Sequence, residues 1–297
     1  MAIKTHPEGP SFSRLITGAW RWDEVSSDTV EKLINTSLEI GNSTFDHADI
    51  YGDHSNEEIF GNVLRKNPSL RNKMELVTKC GILFSSSKRP ATRVKHYNTS
   101  KAHILWSVEN SLKMLSTDRI ELLLIHRPDP LLDPQEVAEA FTQLKKSGKV
   151  LFFGVSNFTP YQFDMLQSYL PFPLVTNQIE LSLFYNQPLF DGSMDNLMRH
   201  KARAMAWSPL GGGKFLGKDD PAGKRVTEGL KKLGQKYSAT ESQLLLAWLL
   251  KHPALIFPII GTTKPERIAE SAKALNIELD RQDWFEMLQW VTGKEVA

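Results

Sequence analysis

Four side chains far apart in the chain, Asp46, Tyr51, Lys79 and His126, are of the types needed to put a proton on a carbonyl oxygen. A tyrosine with its ordinary pKa of about 10 exchanges protons poorly near neutrality. An ammonium beside the phenol stabilises the phenolate and pulls that pKa down. A buried ammonium needs a carboxylate to keep its own charge, and Asp46 is available for that role. A histidine can donate a hydrogen bond to the carbonyl oxygen and fix where it sits. No Ser or Cys lies in an evident nucleophile elbow and no metal-ligand set is evident. Hydride from a nicotinamide would supply the attack on carbon.

Each residue alone has an ordinary reading. Asp46 can cap a turn, Lys79 can snorkel from a strand end, His126 can be a satisfied core histidine, and Tyr51 can lie on the surface. The case rests on the set, so the elements that carry it matter. Eight short aliphatic runs recur at a fairly even stride: residues 13–20, 43–49, 74–81, 120–127, 152–157, 176–182, 203–210 and 257–263. Several are apolar without alternation, as parallel strands covered on both faces are. The ends of these runs hold Trp20, Asp46, Lys79, His126, Asn157, Gln178, Glu180, Trp207, Ser208 and Thr262.

Between most runs lie segments of helical period. Val30, Leu33, Ile34 and Leu38 form one stripe, and Ile104, Leu105, Val108, Leu112 and Leu115 another. Asp133-Pro134-Gln135-Glu136 and Thr159-Pro160-Tyr161-Gln162 read as capping boxes, and further helices begin at Thr240-Glu241-Ser242-Gln243 and near Pro265. A helical tail runs from Asp280 to about Gly293. Strand and helix alternating eight times predict a single-domain α/β chain over residues 1–297, a (β/α)8 TIM barrel with an additional C-terminal helix. A doubly wound open sheet is the alternative, although TGAWRWDE (17–24) lacks the glycine-rich turn it would show. The longest irregular stretches are residues 82–98 and 211–226, each after a strand, where a barrel keeps its site loops.

Composition bounds the rest. With 36 Lys and Arg against 34 Asp and Glu, the net charge of +2 offers no field for nucleic acid or an anionic membrane. The lone Cys80 excludes an internal disulfide and a cysteine zinc cluster. The amino terminus carries no apolar signal run, and LLLAWLL (244–250) is too short to span a bilayer, so the expectation is cytoplasmic. No patch calls for an obligate protein partner, which leaves a small carbonyl compound as the expected partner.

FDHADIYG (45–52), LVTKCG (76–81), LLLIHRPD (122–129), FGVSNF (153–158), TNQIELS (176–182), WSPLGGG (207–213) and PIIGTTKPERI (258–268) resemble, in order and spacing, the successive blocks of the aldo-keto reductase superfamily. The loop after the third run and the WSPLGGG block look most like the bacterial and fungal oxidoreductases of the YdhF type. The resemblance implies a (β/α)8 barrel that binds NAD(P)H and reduces aldehydes or ketones. It places Asp46, Tyr51, Lys79 and His126 on the catalytic tetrad, with Tyr51 as general acid. It also implies that Ser156, Asn157 and Gln178 bind the nicotinamide carboxamide and that Trp207 stacks on its ring. Ser208 and the backbone of Leu210, Gly211, Gly212 and Gly213 would cradle the pyrophosphate. Thr262 and Arg267 would meet the adenosine 2′-phosphate at a helix start, and Trp20 and Trp22 would line the substrate pocket.

Two positions depart from the family pattern. Gly261 stands where many members have lysine, and Ser271, at a cofactor-binding position, where many have asparagine. Both loosen the adenosine end, so NADPH is expected with NADH also open. Strand alternation puts His47 and Asp49 opposite Asp46, which argues against a metal site with His54, and turns Cys80 away from the mouth. The basic run 225–236 reads as a solvated helix face, and Trp248 as helix packing. Two other functions fit the same residues: a cofactor-binding redox sensor with slow turnover, and an isomerase or aldolase with Lys79 as a Schiff base.

Overall fold

Aliphatic runs without alternation become strands buried on both faces. The computed structural model describes residues 2–213 and 221–296. Its parallel strands are β1 (Ile16–Gly18), β2 (Thr44–Asp46), β3 (Glu75–Cys80) and β4 (Ile120–Ile125), followed by β5 (Val150–Ser156), β6 (Leu174–Glu180), β7 (Arg203–Trp207) and β8 (Phe257–Ile260). Each pairs with the next, and β8 returns to β1 through Ile259–Ile16 and Ile260–Thr17, closing an eight-stranded barrel. The open sheet is thereby excluded. Every residue of β4 is buried, because inward Leu122 and Leu124 pack in the barrel interior while outward Leu123 and Ile125 pack under helices.

Helices α1 (Ser27–Glu39), α2 (Asn56–Lys66), α3 (Lys101–Met114), α4 (Pro134–Lys146), α5 (Pro160–Ser168) and α6 (Ser193–Arg199) follow β1 to β6 in turn. Both α7 (Pro221–Tyr237) and α8 (Glu241–Leu250) lie between β7 and β8, and α9 (Pro265–Ala272) and α10 (Arg281–Thr292) follow β8. Capping boxes start α5 at Thr159 and α8 at Thr240. At α4, Asp133 accepts from the Gln135 N–H, but the expected box does not close. Glu136 turns instead to the Lys101 N–H at the start of α3.

Three features depart from the sequence reading. A hairpin of Ala2–Lys4 and Ser11–Ser13 sends Phe12 into the barrel interior against Phe257. A second hairpin, Ile82–Leu83 with His96–Tyr97, orders both ends of the long loop after β3. The stretch after β7 is helical from Pro221, since Val226, Leu230 and Leu233 form a buried stripe; its residues 214–220 lie outside the described residues. The basic side of α7 is not wholly solvated either. Arg225 donates to the Trp290 carbonyl, and Lys236 and Lys232 reach Asp283 and Glu286 on α10. Among the described residues no helix is long and apolar enough to cross a membrane.

Candidate active site

Barrel pairing sets Asp46 at the carboxyl end of β2 beside Val77, and Lys79 two residues further along β3 on the same inward side. Lys79 is fully buried, and its ammonium has three acceptors. It donates to Asp46 Oδ2 at 2.7 Å, to the His47 carbonyl at 2.7 Å and to Tyr51 Oη at 3.0 Å. Burial works against its charge, but Asp46 and Tyr51 outweigh that and hold its pKa above the usual lysine value. The other Asp46 oxygen accepts from Gln178 Nε2 at 2.7 Å, a bond that crosses the barrel from β6 to β2.

Tyr51 reaches this centre through a reversed turn. Its N–H donates to the Ala48 carbonyl, and the next residues, Gly52, Asp53 and His54, take left-handed φ of 57°, 49° and 64°. A Cβ at Gly52 would sit 2.0 Å from Asn56 Oδ1, so only glycine fits there. Asn56 in turn donates to the carbonyls of Ala19 and Trp20, tying the turn to the end of β1. His126, anchored by its N–H to the Cys80 carbonyl, sets its ring edge-on to Tyr51 at 6.0 Å.

The titration directions differ in part from the expectation. Burial raises the Tyr51 pKa above 10, ahead of the lowering that Lys79 and Arg127 exert. The phenol is therefore protonated, because desolvation penalises the phenolate more than the neighbouring ammonium helps it. Burial and then Lys79 push His126 well below the usual histidine value, so it is neutral.

At the ends of β5, β6 and β7 the polar side chains form a chain. Ser156 Oγ donates to the Gln178 carbonyl at 2.9 Å, Asn157 Nδ2 donates to Ser156 Oγ at 2.7 Å, and Trp207 Nε1 donates to Asn157 Oδ1 at 3.0 Å. Asn157 and Ser208 both sit at positive φ, 60° and 51°, which turns the chain sharply off each strand. Gly211, Gly212 and Gly213 are all left-handed, and a Cβ at Gly212 or Gly213 would meet nothing. The N–H groups of Gly211 and Gly213 close on the carbonyls of Ser208 and Leu210, so those two donors are already engaged within the turn.

Two expected contacts, those of Trp22 and Ser271, are corrected. Trp22 does not line the mouth: it is fully buried, packed against Phe45, His47 and Phe60 under the helices. Trp20 is exposed at the rim with Arg21 over its ring. Ser271 faces inward, its hydroxyl donating to the Arg267 carbonyl one turn back, because the side of α9 that carries Ile268 and Ser271 packs against α1 and α8. Thr262 Oγ1 accepts from the Lys264 N–H, and Arg267 is exposed with no acidic partner among the described residues. Arg127, within LLLIHRPD, stands at the mouth with its guanidinium 5.6 Å from the Trp207 ring, a residue the sequence reading missed. Its place directly after a strand-end histidine was the signal.

His47, Asp49 and His54 do not converge, and no metal-holding group is found among the described residues. His47 lies under Trp22 and Phe60, with its pKa lowered to about 3 by burial. His54 Nδ1 donates to the Asp49 carbonyl. Cys80 is buried and its thiol pushed well up, a packing residue. Lys79 Nζ, enclosed and triply bonded, has no open approach for a Schiff base.

Residues 14–290 match the aldo/keto reductase family. The chain belongs to this family. Aldo/keto reductases use a nicotinamide cofactor, and this chain's rim suits one: a Trp207 ring fixed through Nε1, glycine backbone bare of side chains at 212 and 213, and an exposed Arg267 with no acidic partner among the described residues. The chain is 44% identical to the oxidoreductase YdhF of Escherichia coli over 99% of its length and 98% of that protein. It is likewise 44% identical to a 6-dehydroglucose reductase of Agrobacterium fabrum, covering 96% of each. The crystal structure of the thermostable aldo-keto reductase Tm1743 shares the fold, with a TM-score of 0.81 at 24% identity over 98% of this chain and 99% of that one.

Proposed function

We propose that this aldo/keto reductase uses NADPH to reduce aldehydes and ketones to alcohols, with Tyr51 as the general acid. The observation that carries the reading is the Lys79–Tyr51 contact of 3.0 Å within a fully buried ammonium whose remaining protons go to Asp46 and His47. An ammonium has three protons and all three are committed, so the phenol oxygen accepts and its own proton is left to point at substrate. Bound nicotinamide supplies the hydride that reaches the carbonyl carbon. Tyr51 gives its proton to the carbonyl oxygen as negative charge develops there, and Lys79 stabilises the phenolate that remains.

Neutral His126 orients the carbonyl by donating from Nε2, the ring nitrogen on the less enclosed side; Nδ1 is buried without a partner. Asp46 holds Lys79 charged, and Gln178 fixes the Asp46 carboxylate from across the barrel. Ser156, Asn157 and Gln178 would hold the carboxamide, Trp207 the ring face, Ser208 and Leu210 to Gly213 the pyrophosphate, and Thr262 with Arg267 the 2′-phosphate. Arg267 favours NADPH, while Gly261 and inward Ser271 keep its advantage over NADH small. The relative's name makes a sugar aldehyde one member of the panel to assay, beside aromatic aldehydes, ketones and quinones.

The test is Tyr51→Phe. Turnover of 4-nitrobenzaldehyde should fall at least about a hundredfold, because the lost proton acts in the transition state. NADPH affinity, read by tryptophan fluorescence quenching, should stay close to wild type. A variant as fast as wild type would show that the acid is elsewhere.

A further inference from the structure

Arg127 is not used by this mechanism, and its surroundings are unusual for a half-buried cation. It leaves the carboxyl end of β4 directly after His126, with its guanidinium over the Trp207 ring. No carboxylate among the described residues pairs with it. Asp129, two residues on, accepts from Thr99 Oγ1 and from the Leu131 N–H, and Asp133 caps α4. Asp53, on the loop after β2, takes its hydrogen bond from Ser87.

Lys95 adds a second charge from the neighbouring element. It precedes His96, whose strand pairs with Ile82–Leu83 immediately beyond β3, and it is exposed without an acidic partner among the described residues. His126 lies in the field of both cations, and Tyr51 in that of Arg127. The Lys79 charge is neutralised locally by Asp46, whereas neither Arg127 nor Lys95 has a carboxylate partner among the described residues. Desolvating a guanidinium without a partner is costly, and an incoming anion offsets that cost while gaining a charge-assisted, bidentate contact.

Resting on the reductase reading, we infer that the carbonyl substrate bears an anionic group, a carboxylate or a phosphate, bound by Arg127 and Lys95 beside Tyr51 and His126. Arg127 takes the group through its planar fork, and Lys95 adds attraction from the loop. The competing use of Arg127 is a brace for Trp207 alone, by cation–π contact.

The experiment compares kcat/KM for 4-carboxybenzaldehyde and 4-formylphenyl phosphate with that for methyl 4-formylbenzoate, whose ring is similar but uncharged. Wild type should favour at least one anionic aldehyde by about tenfold, mainly through KM, and added salt should erode the preference. Whichever anionic aldehyde is favoured identifies the group. Arg127→Gln should abolish the preference, Arg127→Lys should restore part of it, and Lys95→Gln should reduce it less.

Equal kcat/KM on charged and neutral aldehydes in wild type overturns the inference and leaves the reductase reading standing. Absence of turnover on all of them removes both. Parallel loss on charged and neutral substrates in Arg127→Gln assigns the guanidinium to bracing Trp207. An NADPH dissociation constant that weakens as far as the preference falls assigns it to the cofactor. Either outcome also overturns the inference.

Discussion

Lys79 shows how little slack the centre has: three protons, three acceptors, and no solvent contact. The phenol it touches is raised in pKa and the histidine opposite is lowered, so both are uncharged across the neutral range. The sign for reduction follows. The rate falls only when the donor is lost, as pH rises through a Tyr51 pKa above 10, and no acid limb from His126 appears near 6.5. We expect kcat/KM for aldehyde reduction by the holoenzyme to be flat from roughly pH 6.5 to 9. A clear inflection near pH 7 in initial rates would mean that some other group is the acid. The types of these residues were legible beforehand. The direction of the Tyr51 shift was not, because the penalty from burial depends on walls contributed by other segments.

Between β3, α2 and α3 lies a second polar cluster, facing away from the mouth. Asp49 accepts from Ser107 on α3, and Glu57 on α2 accepts from Thr78 on β3. Burial raises Asp49 to about 8 and Glu57 to about 7, so both keep protons in the folded chain that the unfolded chain releases near 4. Stability therefore falls as pH rises between those limits. His47, lowered to about 3, acts oppositely: below about 6.5 the unfolded chain takes up a proton the fold refuses. The two trends oppose each other in mild acid, and above pH 6.5 the carboxyls dominate. We expect the melting temperature to drop from about pH 6.5 to 8, and Asp49→Asn, which mimics the protonated acid, to flatten that slope. A wild-type slope in Asp49→Asn would assign the effect to other groups. Alternation along β2 showed that His47 and Asp49 leave the mouth; that Asp49 and Glu57 are held protonated required the packing of α2 and α3.

At the scale of the molecule, chemistry and stability occupy opposite ends of the barrel. Near the amino ends of β3 and β4, Arg71 donates twice to Glu121 at 2.8 Å and also to Thr117 Oγ1 and to the carbonyls of Met74 and Arg119. Glu121 also accepts from the Leu76 N–H. Glu121→Ala leaves the guanidinium buried without its charge partner, which should cost about 3–5 kcal/mol in urea unfolding. Aldehyde turnover by the folded variant should remain near wild type, since this end is remote from the Tyr51 mouth. Loss of turnover without loss of stability would contradict that division. The pair went unremarked in the sequence because Arg71 and Glu121 meet only once β3 and β4 are neighbours.

Sequence alone determined the eight strands, most of the helices and their caps, and the residue types gathered at the strand ends. Those features depend on local periodicity, on capping chemistry, and on the need of parallel strands for apolar residues on both faces. Tertiary structure decided which side chains face the mouth and in what charge state. It buried Trp22 behind Phe45, turned Ser271 into its own helix, kept Tyr51 protonated, and left Arg127 at the rim with no carboxylate partner among the described residues. Each of these depends on contacts between segments distant in the chain, where desolvation and Coulomb terms are set by three-dimensional neighbours rather than by spacing along the sequence.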